Sequence, residues 1–302
     1  PQHLAAAVAA GKHVFCEKPV AVDAPGVRSV LESARLAKSK QLSLMSGFCW
    51  RYQDQVRETF NRLRAGGIGE SRSIQTTYNT NGWIQPKARQ TPWTDTEFQA
   101  RNWHYFHPIS GDHIVEQAVH AIDWIGWAMG DAPPERCFAV GGRQVRDDLP
   151  ETGNVFDHFS VVYEYPGGAR AYHTCRHWPN TASDNTMYAL GSRGSCTMKP
   201  WIGEHTIEGD EPWRGSAQGN DMYQREHDLL FQSIRAGTPL NDGEFMARST
   251  LLGIMGRMAA YTGQIVTWDQ AMQSAENLNP EPWVMGARST PAVAIPGKTR
   301  LF

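Results

Sequence analysis

The first fifty residues alternate between short apolar runs and helical stretches. Residues 2–10 are rich in alanine and predict a helix that Gly11 ends, and the apolar run 14–16 predicts a short strand after it. Residues 24–38 have the apolar spacing of an amphipathic helix, and residues 41–47 predict a second buried strand. Strands that alternate with helices of this length indicate a parallel, doubly wound sheet.

Beyond residue 70, β-branched and aromatic residues recur in short runs that predict several strands. The strand candidates are residues 72–80, 136–145, 155–165, 169–176 and 186–191. The Pro166-Gly167-Gly168 tripeptide predicts a tight turn between two of these strands, so we expect that pair to be antiparallel. Residues 223–236 and 245–261 then predict amphipathic helices.

An irregular stretch over residues 81–110 interrupts the strands and is dense in aromatic side chains, namely Trp83, Trp93, Trp103, Tyr105 and His107. The aromatic content argues against disorder, because such rings bury large apolar areas. Two interpretations stay open. The rings stack on sugar faces, or the stretch is a packed loop that shields the sheet.

Composition narrows the class of protein. The 302 residues, 40% of them apolar, can form a large core and exceed one typical domain. The formal net charge of −2 provides no long-range attraction to nucleic acid or to an anionic membrane, and the sequence has no apolar run long enough to span a bilayer. Five cysteines without a C-x-x-C pair favour free, buried thiols.

The first candidate for chemistry is Glu17-Lys18-Pro19, which follows the predicted strand 14–16. A residue before proline favours extended backbone, and ligands of open α/β sheets bind beyond the carboxyl ends of the strands. The alternative is a surface Lys-Pro at a strand exit. No Gly-x-Gly-x-x-Gly occurs in the sequence, so the usual pyrophosphate-binding turn of a dinucleotide fold is absent from these residues.

The second candidate is a predicted helix over residues 113–127. At 100° per residue, His113, Glu116, His120 and Asp123 fall within an arc of roughly 80°. The other positions are mainly apolar, which predicts a largely buried helix. Its ionisable face then needs either partners or a cleft, because buried polar groups require hydrogen bonds.

These motifs together resemble the Gfo/Idh/MocA oxidoreductases, over nearly the whole chain. The similar blocks are the Gly-Lys-His-Val strand with Glu-Lys-Pro at residues 11–19, preceded by Pro1 and His3; the Gly-x-x-x-Arg-Tyr block at residues 47–52; the acid-x-x-x-His-x-x-Asp block at residues 116–123; and the C-terminal stretch at residues 253–269. Members of the family normally begin with a glycine-rich turn, so the chain resembles an N-terminally truncated member.

The resemblance implies an α/β fold joined to an α+β fold. Residues 1–50 are expected to form the C-terminal part of a Rossmann NAD(P)-binding domain that lacks its glycine-rich half. Residues 51–302 are expected to form a substrate-binding and oligomerisation domain with a large, mostly antiparallel open sheet. The C-terminal helices would pack back on the Rossmann part, and the protein would form a homodimer or a homotetramer.

The resemblance also implies an activity, namely hydride transfer between NAD or NADP and a secondary hydroxyl of a sugar, cyclitol or glycoside. Lys18 and His120 match the catalytic lysine and histidine of the family. Histidine titrates near neutrality, so we expect His120 to be the acid/base and Lys18 to hold the substrate oxygen. The reverse assignment stays open. Glu116 stands where the family usually has Asp, and its longer side chain could contact substrate or orient His120.

Further residues carry expected binding roles. Glu17, Lys18, Pro19 and His3 are expected to contact the cofactor. Substrate contacts are expected from Arg51, Tyr52, Trp103, His104 and Asp123, and the alternative for these five is ordinary packing between domains.

A metal site is a competing interpretation. His113, Glu116 and His120 share the predicted helix face, and further histidines could converge on it from loops and strands, namely His104, His107, His173 and His177. Two histidines and a glutamate are a known zinc set. The spacing lacks the H-E-x-x-H core, however, so no metal is expected.

Three functions from different classes stay open. The first is an NAD(P)-dependent dehydrogenase, the second a redox-assisted glycosidase that oxidises, eliminates and reduces again, and the third a non-catalytic sugar-binding or scaffold protein. The presence of both Lys18 and His120 ranks the third last. The location is expected to be cytoplasmic, and periplasmic export stays open because a signal peptide would precede residue 1.

Overall fold

The computed structural model describes residues 1–82, 84–216, 218–278 and 284–300. Trp83 of the aromatic stretch therefore lies outside the described residues. No helix within these ranges combines the length and the apolar character that crossing a bilayer requires.

The chain begins with the predicted alternation of helix and strand. Helix α1 spans Gln2–Ala9, strand β1 Val14–Cys16, helix α2 Ala24–Ser39 and strand β2 Leu44–Ser46. Strands β1 and β2 pair in parallel, with Phe15 opposite Met45, as the pattern predicted. The carboxylate of Asp23 caps α2 by accepting a hydrogen bond of 2.8 Å from the amide of Gly26.

Within the described residues, nine further strands form one large sheet. They are β3 Ser71–Thr80, β4 Arg136–Gly142, β5 His158–Glu164, β6 Arg170–His177, β7 Met187–Gly191, β8 Ser195–Lys199, β9 Glu204–Glu208, β10 Trp213–Arg214 and β11 Val266–Thr267. Their order across the sheet is β10-β9-β8-β7-β3-β6-β5-β4-β11. Only β3 and β6 run parallel, with Ile74 opposite Ala171, and the other neighbouring pairs are antiparallel.

The mostly antiparallel sheet confirms the expected fold class, and all five strand candidates form strands. The turn at Pro166–Gly168 joins β5 to β6 as an antiparallel hairpin, with Val162 opposite Tyr172. The sequence analysis missed β8 to β11. Strands β8 and β9 are rich in polar residues, and β10 and β11 have two residues each, so none of them has the apolar or aromatic run that indicated the other strands.

The remaining helices are α3 Asp54–Arg64, α4 Asp95–Arg101, α5 His107–Ser110, α6 His113–Glu116, α7 Val119–Ala128, α8 Met222–Ala236, α9 Gly243–Thr262 and α10 Trp268–Gln273. The prediction of an irregular stretch over residues 81–110 was therefore wrong in part, because α4, α5 and a 3-10 turn at Trp103–Tyr105 lie in it. The hydroxyl of Thr94 caps α4 by accepting from the amide of Glu97 at 3.2 Å.

Helix α9 lies at the centre of the core and positions the polar segments around it. Its Arg257 is fully buried and donates hydrogen bonds to the carbonyls of Val22, at 2.7 Å, and Gly111, at 3.3 Å. Val22 follows the Glu17-Lys18-Pro19 motif and Gly111 precedes α6. One buried guanidinium therefore ties the segment after Lys18 to the segment before α6.

Candidate active site

The residues of the predicted catalytic helix belong to two helices rather than one. Helix α6 ends at Glu116, and α7 begins at Val119. Gln117 between them has φ −121° and ψ −54°, and the amide of His120 donates to the carbonyl of Gln117 at 3.3 Å. In a continuous helix that amide would donate to the carbonyl of Glu116. The prediction of one helix over residues 113–127 was wrong, and the break divides its ionisable face.

Lys18 uses the carbonyl that the break releases. It follows the carboxyl end of β1, and its ammonium donates to the main-chain carbonyl of Glu116 at a distance of 2.5 Å. Lys18 is half-buried, and burial lowers the pKa of its ammonium from the ordinary value. Gly47 lies close to this motif, since a Cβ there would come 2.5 Å from the carboxylate and 3.1 Å from the Cα of Glu17.

The carboxylate of Glu116 turns to His104 instead of His120. Oε1 of Glu116 lies 3.0 Å from Nδ1 of His104, and both side chains are buried. The ring of Trp103 packs on the His104 ring with centroids 3.8 Å apart. These contacts make Trp103, His104 and Glu116 one wall beside Lys18, and the expected orientation of His120 by Glu116 is not observed.

His120 lies near Lys18 with few polar contacts. Its Nδ1 is buried and has no hydrogen-bond partner among the described residues, and its ring meets the ring of Phe48 edge-on at 6.2 Å. Burial and the Lys18 ammonium hold the pKa of His120 well below its ordinary value. A neutral imidazole at neutral pH follows from this environment, as a proton acceptor requires.

A cleft of about 750 Å³ opens where β1 ends. It brings together six of the residues expected at the cofactor and the reaction centre, whereas His120 is not among the lining residues; the six are His3, Glu17, Lys18, Pro19, Trp103 and Glu116. Trp103 is 40% exposed and presents its ring there. The volume lies in the range of small-molecule sites, and its place beyond a parallel strand is where open α/β sheets bind ligands.

Arg51 and Asp123 were expected to bind substrate, and the structure places them elsewhere. Nε of Arg51 donates to both carboxylate oxygens of Asp123, at 3.1 and 2.9 Å, and Nη2 donates to Asp131 at 2.6 Å. The Arg51 guanidinium also lies 3.9 Å from the ring centre of Phe245. Ser249 donates to Asp123 at 2.6 Å. This buried ion pair occupies the groups that were expected to reach substrate.

Tyr52 also lies in the core rather than at the cleft. Its hydroxyl donates to a carboxylate oxygen of Asp242, which in turn accepts from the amide of Ser46 at 3.0 Å. Tyr52 is buried, and neither residue lines the cleft. The Arg-Tyr block therefore joins β2 to α7 and to the start of α9, and ordinary packing explains it.

Some of the histidines lie close together, since the ring centres of His113 and His177 are 4.5 Å apart, but the described histidines do not form a metal site. Nδ1 of His113 lies 3.1 Å from Asp112, and Nδ1 of His173 lies 2.9 Å from the hydroxyl of Thr76. Across the parts of the chain that the structure describes, no three His, Cys, Asp or Glu side chains are placed to hold a metal ion. The five cysteines are free thiols, and four of them are buried.

The sequence analysis missed the role of Asp112. Its carboxylate accepts hydrogen bonds from the amides of His113 and Phe156, at 2.6 and 2.7 Å, and from the hydroxyl of Tyr261 at 2.6 Å. Asp112 thereby fixes the start of α6 to the sheet and to α9. A Gly-Asp pair before a helix is an N-cap signal, so Gly111-Asp112 could have indicated it.

Known proteins are similar to this chain in sequence, mainly over the region of the large sheet. Residues 56–197 match the family model of the GFO/IDH/MocA C-terminal domain. Trans-1,2-dihydrobenzene-1,2-diol dehydrogenase of Bos taurus is 29% identical over 201 residues, which are 66% of this chain and 52% of that protein. The 2,7-anhydro-N-acetylneuraminate hydratase of Escherichia coli strain K12 is 25% identical over 187 residues, which are 61% of this chain and 44% of that protein. The chain thus spans about half the length of these relatives.

Solved structures share the architecture. Levoglucosan dehydrogenase, solved in complex with NADH and levoglucosan, superposes with a TM-score of 0.70 at 18% identity, over 88% of this chain and 76% of that protein. The domain match and the common fold agree, and residues 56–197 are similar to the C-terminal domain of the Gfo/Idh/MocA oxidoreductases.

Proposed function

We propose that this chain carries the alcohol-binding site of an NAD- or NADP-dependent oxidoreductase that acts on a secondary hydroxyl of a sugar, cyclitol or related diol. The observation that carries the proposal is the position of Lys18. Its ammonium is fixed at 2.5 Å on the carbonyl of Glu116, at the wall of the 750 Å³ cleft and close enough to His120 to lower the pKa of that histidine.

The cleft suits the nicotinamide end of the cofactor. It has the right position and size, and Glu17, Lys18, Pro19 and His3 would border the ring. When bound, the nicotinamide supplies the group that accepts or returns hydride. The 302 residues contain no Gly-x-Gly-x-x-Gly, so we assign no residue to the pyrophosphate.

The two ionisable groups divide the proton chemistry. Lys18 has three N–H donors, and Glu116 accepts one of them, which leaves donors for the substrate oxygen. His120 has a strongly lowered pKa and is neutral near pH 7, so it can accept the hydroxyl proton as hydride leaves. In the reverse direction the same groups return the proton. Lys18 therefore orients and polarises the oxygen, and His120 is the acid/base.

Trp103 supports a carbohydrate or cyclitol substrate. Its ring is 40% exposed at the cleft and rests on His104, which is held by Glu116. A fixed, partly exposed ring of this kind offers an apolar face for the C–H surface of a sugar. We propose Trp103 and His104 as the substrate-contacting residues, with Glu116 positioning His104.

A redox-assisted lyase or glycosidase is the second candidate. The E. coli relative is named a hydratase of an anhydro sugar, and this observation favours chemistry beyond simple oxidation. The two functions differ in net cofactor change. A dehydrogenase accumulates reduced nicotinamide, whereas the redox-assisted enzyme reoxidises it within each turnover.

The open face of the large sheet supports a homodimer or homotetramer. Phe138, Tyr172 and Tyr188 lie on one row across β4, β6 and β7 and are 38–43% exposed, and Val140 and Leu190 are more exposed still. Aromatic and aliphatic groups on one sheet face favour burial in an interface. Light scattering should give a mass of at least two chains, and a monomer would contradict this part of the proposal.

The proposed reaction is tested with the natural protein that contains this sequence. It is mixed with NAD or NADP and a panel of sugars, cyclitols and diols, and reduced nicotinamide is followed by absorbance while products are analysed by mass spectrometry. We expect a ketone product and stoichiometric reduced nicotinamide. Elimination or hydration products without net reduction favour the second candidate, and no turnover with any compound would contradict both.

A further inference from the structure

A second cavity adjoins the proposed reaction centre. It has a volume of about 240 Å³, and its lining includes His104, His113, Arg146 and His177; we call it the histidine cavity. It is a neighbour of the cleft, since Trp103 and Glu116 line the cleft and His104 lines the histidine cavity. The 3.0 Å contact between Glu116 and His104 joins the two spaces.

His113 brings an unused polar atom to the histidine cavity. The residue is 2% exposed, and Asp112 occupies its Nδ1 at 3.1 Å. Its Nε2 is buried and has no hydrogen-bond partner within the described ranges. A buried ring nitrogen without a partner costs free energy, and a ligand that bonds to it would restore that interaction.

Arg146 brings an unused cationic donor. The backbone amides of residues 144–146 bind the carboxylate of Asp157, at 2.7 to 3.1 Å, which fixes the start of this side chain. The guanidinium lies 4.9 Å from the ring centre of Tyr105. Nε of Arg146 is buried without a partner in the described part of the chain, and no described carboxylate forms an ion pair with it.

The charge around the histidine cavity favours an anion. Burial, together with the neighbouring His113, Arg146 and His104, holds the pKa of His177 well below its ordinary value. Asp147 also lines the cavity, but its side chain is exposed, so water screens its charge. The buried carboxylates of Asp112 and Glu116 are bonded to His113 and His104, which leaves Arg146 as the cation of the lining without a carboxylate partner among the described residues.

We propose that the histidine cavity binds a carboxylate, so that the substrate is an acidic sugar of the uronic acid type whose reacting hydroxyl lies in the adjoining cleft. The planar guanidinium of Arg146 matches the two oxygens of a carboxylate, and the unpartnered Nε2 of His113 offers a further hydrogen-bonding position. The substrate class rests on the function proposed above, whereas carboxylate binding by the cavity can be measured without turnover.

The test uses calorimetry on the natural protein with D-glucuronate and D-glucose, which differ only in the carboxylate. We expect glucuronate to bind at least about tenfold more tightly. In R146Q the affinity for glucuronate should fall about 10- to 100-fold, and in H113Q it should also fall. R146K keeps the positive charge but lacks the planar guanidinium, so it should bind glucuronate with intermediate affinity. R72Q, on an exposed arginine outside the cavity, is the matched control and should keep the preference.

Several outcomes would overturn the assignment. Equal binding of the two sugars, or an unchanged preference in R146Q and R146K, would exclude the histidine cavity as a carboxylate site. Tighter binding of glucose 6-phosphate than of glucuronate would show that the cavity binds a phosphate rather than a carboxylate. An Arg146-dependent preference without any nicotinamide-linked turnover would support the cavity and contradict the proposed function. Nicotinamide-linked oxidation of neutral sugars, without an Arg146-dependent preference for glucuronate, would support the proposed function and contradict the carboxylate site.

Discussion

The ammonium of Lys18 donates to the main-chain carbonyl of Glu116, 98 residues further along the chain, at a distance of 2.5 Å. That carbonyl is available because the helix breaks at Gln117, and the amide of His120 bonds elsewhere. The break therefore does two things at once. It provides the carbonyl that holds Lys18 at the cleft, and it places the Glu116 carboxylate in contact with His104.

Replacing Lys18 tests the centre of the proposed function. K18M removes the donor to the substrate oxygen, and we expect kcat to fall about 100-fold or more in the nicotinamide absorbance assay. The thermal unfolding midpoint should change little, because an unbranched apolar side chain fills the same half-buried space. K12M, at an exposed lysine before β1, is the control and should keep wild-type activity. Wild-type kcat in K18M would contradict the assignment.

The pH profile tests the pairing of Lys18 and His120. Burial and the Lys18 charge lower the pKa of His120, so the neutral, proton-accepting form persists below the ordinary histidine pKa of about 6.5. The acid limb of kcat/KM for alcohol oxidation should therefore lie below pH 6.5. In K18M the residual activity should show this limb at higher pH, because the positive neighbour is gone.

A second outcome decides which group is the base. H120A should no longer be able to accept the proton of the substrate hydroxyl. If H120A keeps near-normal hydride transfer while K18M abolishes proton uptake, the roles of the two residues are reversed.

Glu116 should matter less through its carboxylate than through its carbonyl. E116Q keeps the main-chain acceptor of Lys18 and removes only the charge beside His104. We expect a loss in kcat of about tenfold, the size of one charged hydrogen bond. A loss as large as that in K18M would show that the carboxylate itself takes part in the chemistry.

Arg51 should be a stability residue. R51M leaves the carboxylates of Asp123 and Asp131 without their guanidinium, and we expect the free energy of unfolding in urea to fall by about 3–5 kcal/mol. R72M removes an exposed arginine of a surface ion pair and should change this free energy by less than about 0.5 kcal/mol. A stable R51M that has lost only substrate affinity would restore the role expected from the sequence.

Buried histidines should make the protein acid-sensitive. Burial lowers the pKa of His107 to about 4 and that of His173 to about 3. The unfolded chain, with a histidine pKa of about 6.5, therefore binds more protons between pH 6.5 and these values, and stability falls as the pH falls. Each group contributes a slope of about 1.4 kcal/mol per pH unit within its window.

The measurement is urea unfolding at several pH values. H173Q removes one of the titrating groups, so its decline between pH 6 and 4 should be shallower than that of the wild type. H227Q, at a surface histidine with about half of its side chain exposed, should leave the slope unchanged. A decline of equal steepness in H173Q and wild type would contradict the assignment to His173.

Local pattern predicted much of the fold. The apolar run at β1, the hairpin turn at Pro166–Gly168 and the helices α2, α8 and α9 all form where the sequence indicated. Such elements depend on side chains a few positions apart, which the sequence displays directly. The prediction that α9 is amphipathic was wrong, because this helix is buried on nearly all sides. The short strands β8 to β11 escaped prediction because pairing within the sheet, rather than their own pattern, stabilises them.

The candidate site was predictable in its members and less so in its contacts. Lys18 at the end of a strand, and its place in a Glu-Lys-Pro motif, follow from sequence. Arg51 and Asp123 were equally prominent, yet they form a buried pair across 72 positions of the chain. Sequence pattern identifies residues able to do chemistry, but it does not show which of them fold onto each other.

Local sequence pattern accounts for the motifs, the order of most helices and strands, and the lysine at the end of β1. The break in the helix predicted over residues 113–127 depends instead on contacts in the folded chain. Gln117 and Ala118 carry no breaking signal, since neither is glycine or proline. The break is stabilised by distant partners, namely Lys18 on the carbonyl of Glu116 and His177 on the side chain of Gln117 at 2.6 Å. These two contacts join residues that are 98 and 60 positions apart in the chain, and they outweigh local helix propensity. A local sequence pattern cannot predict such contacts.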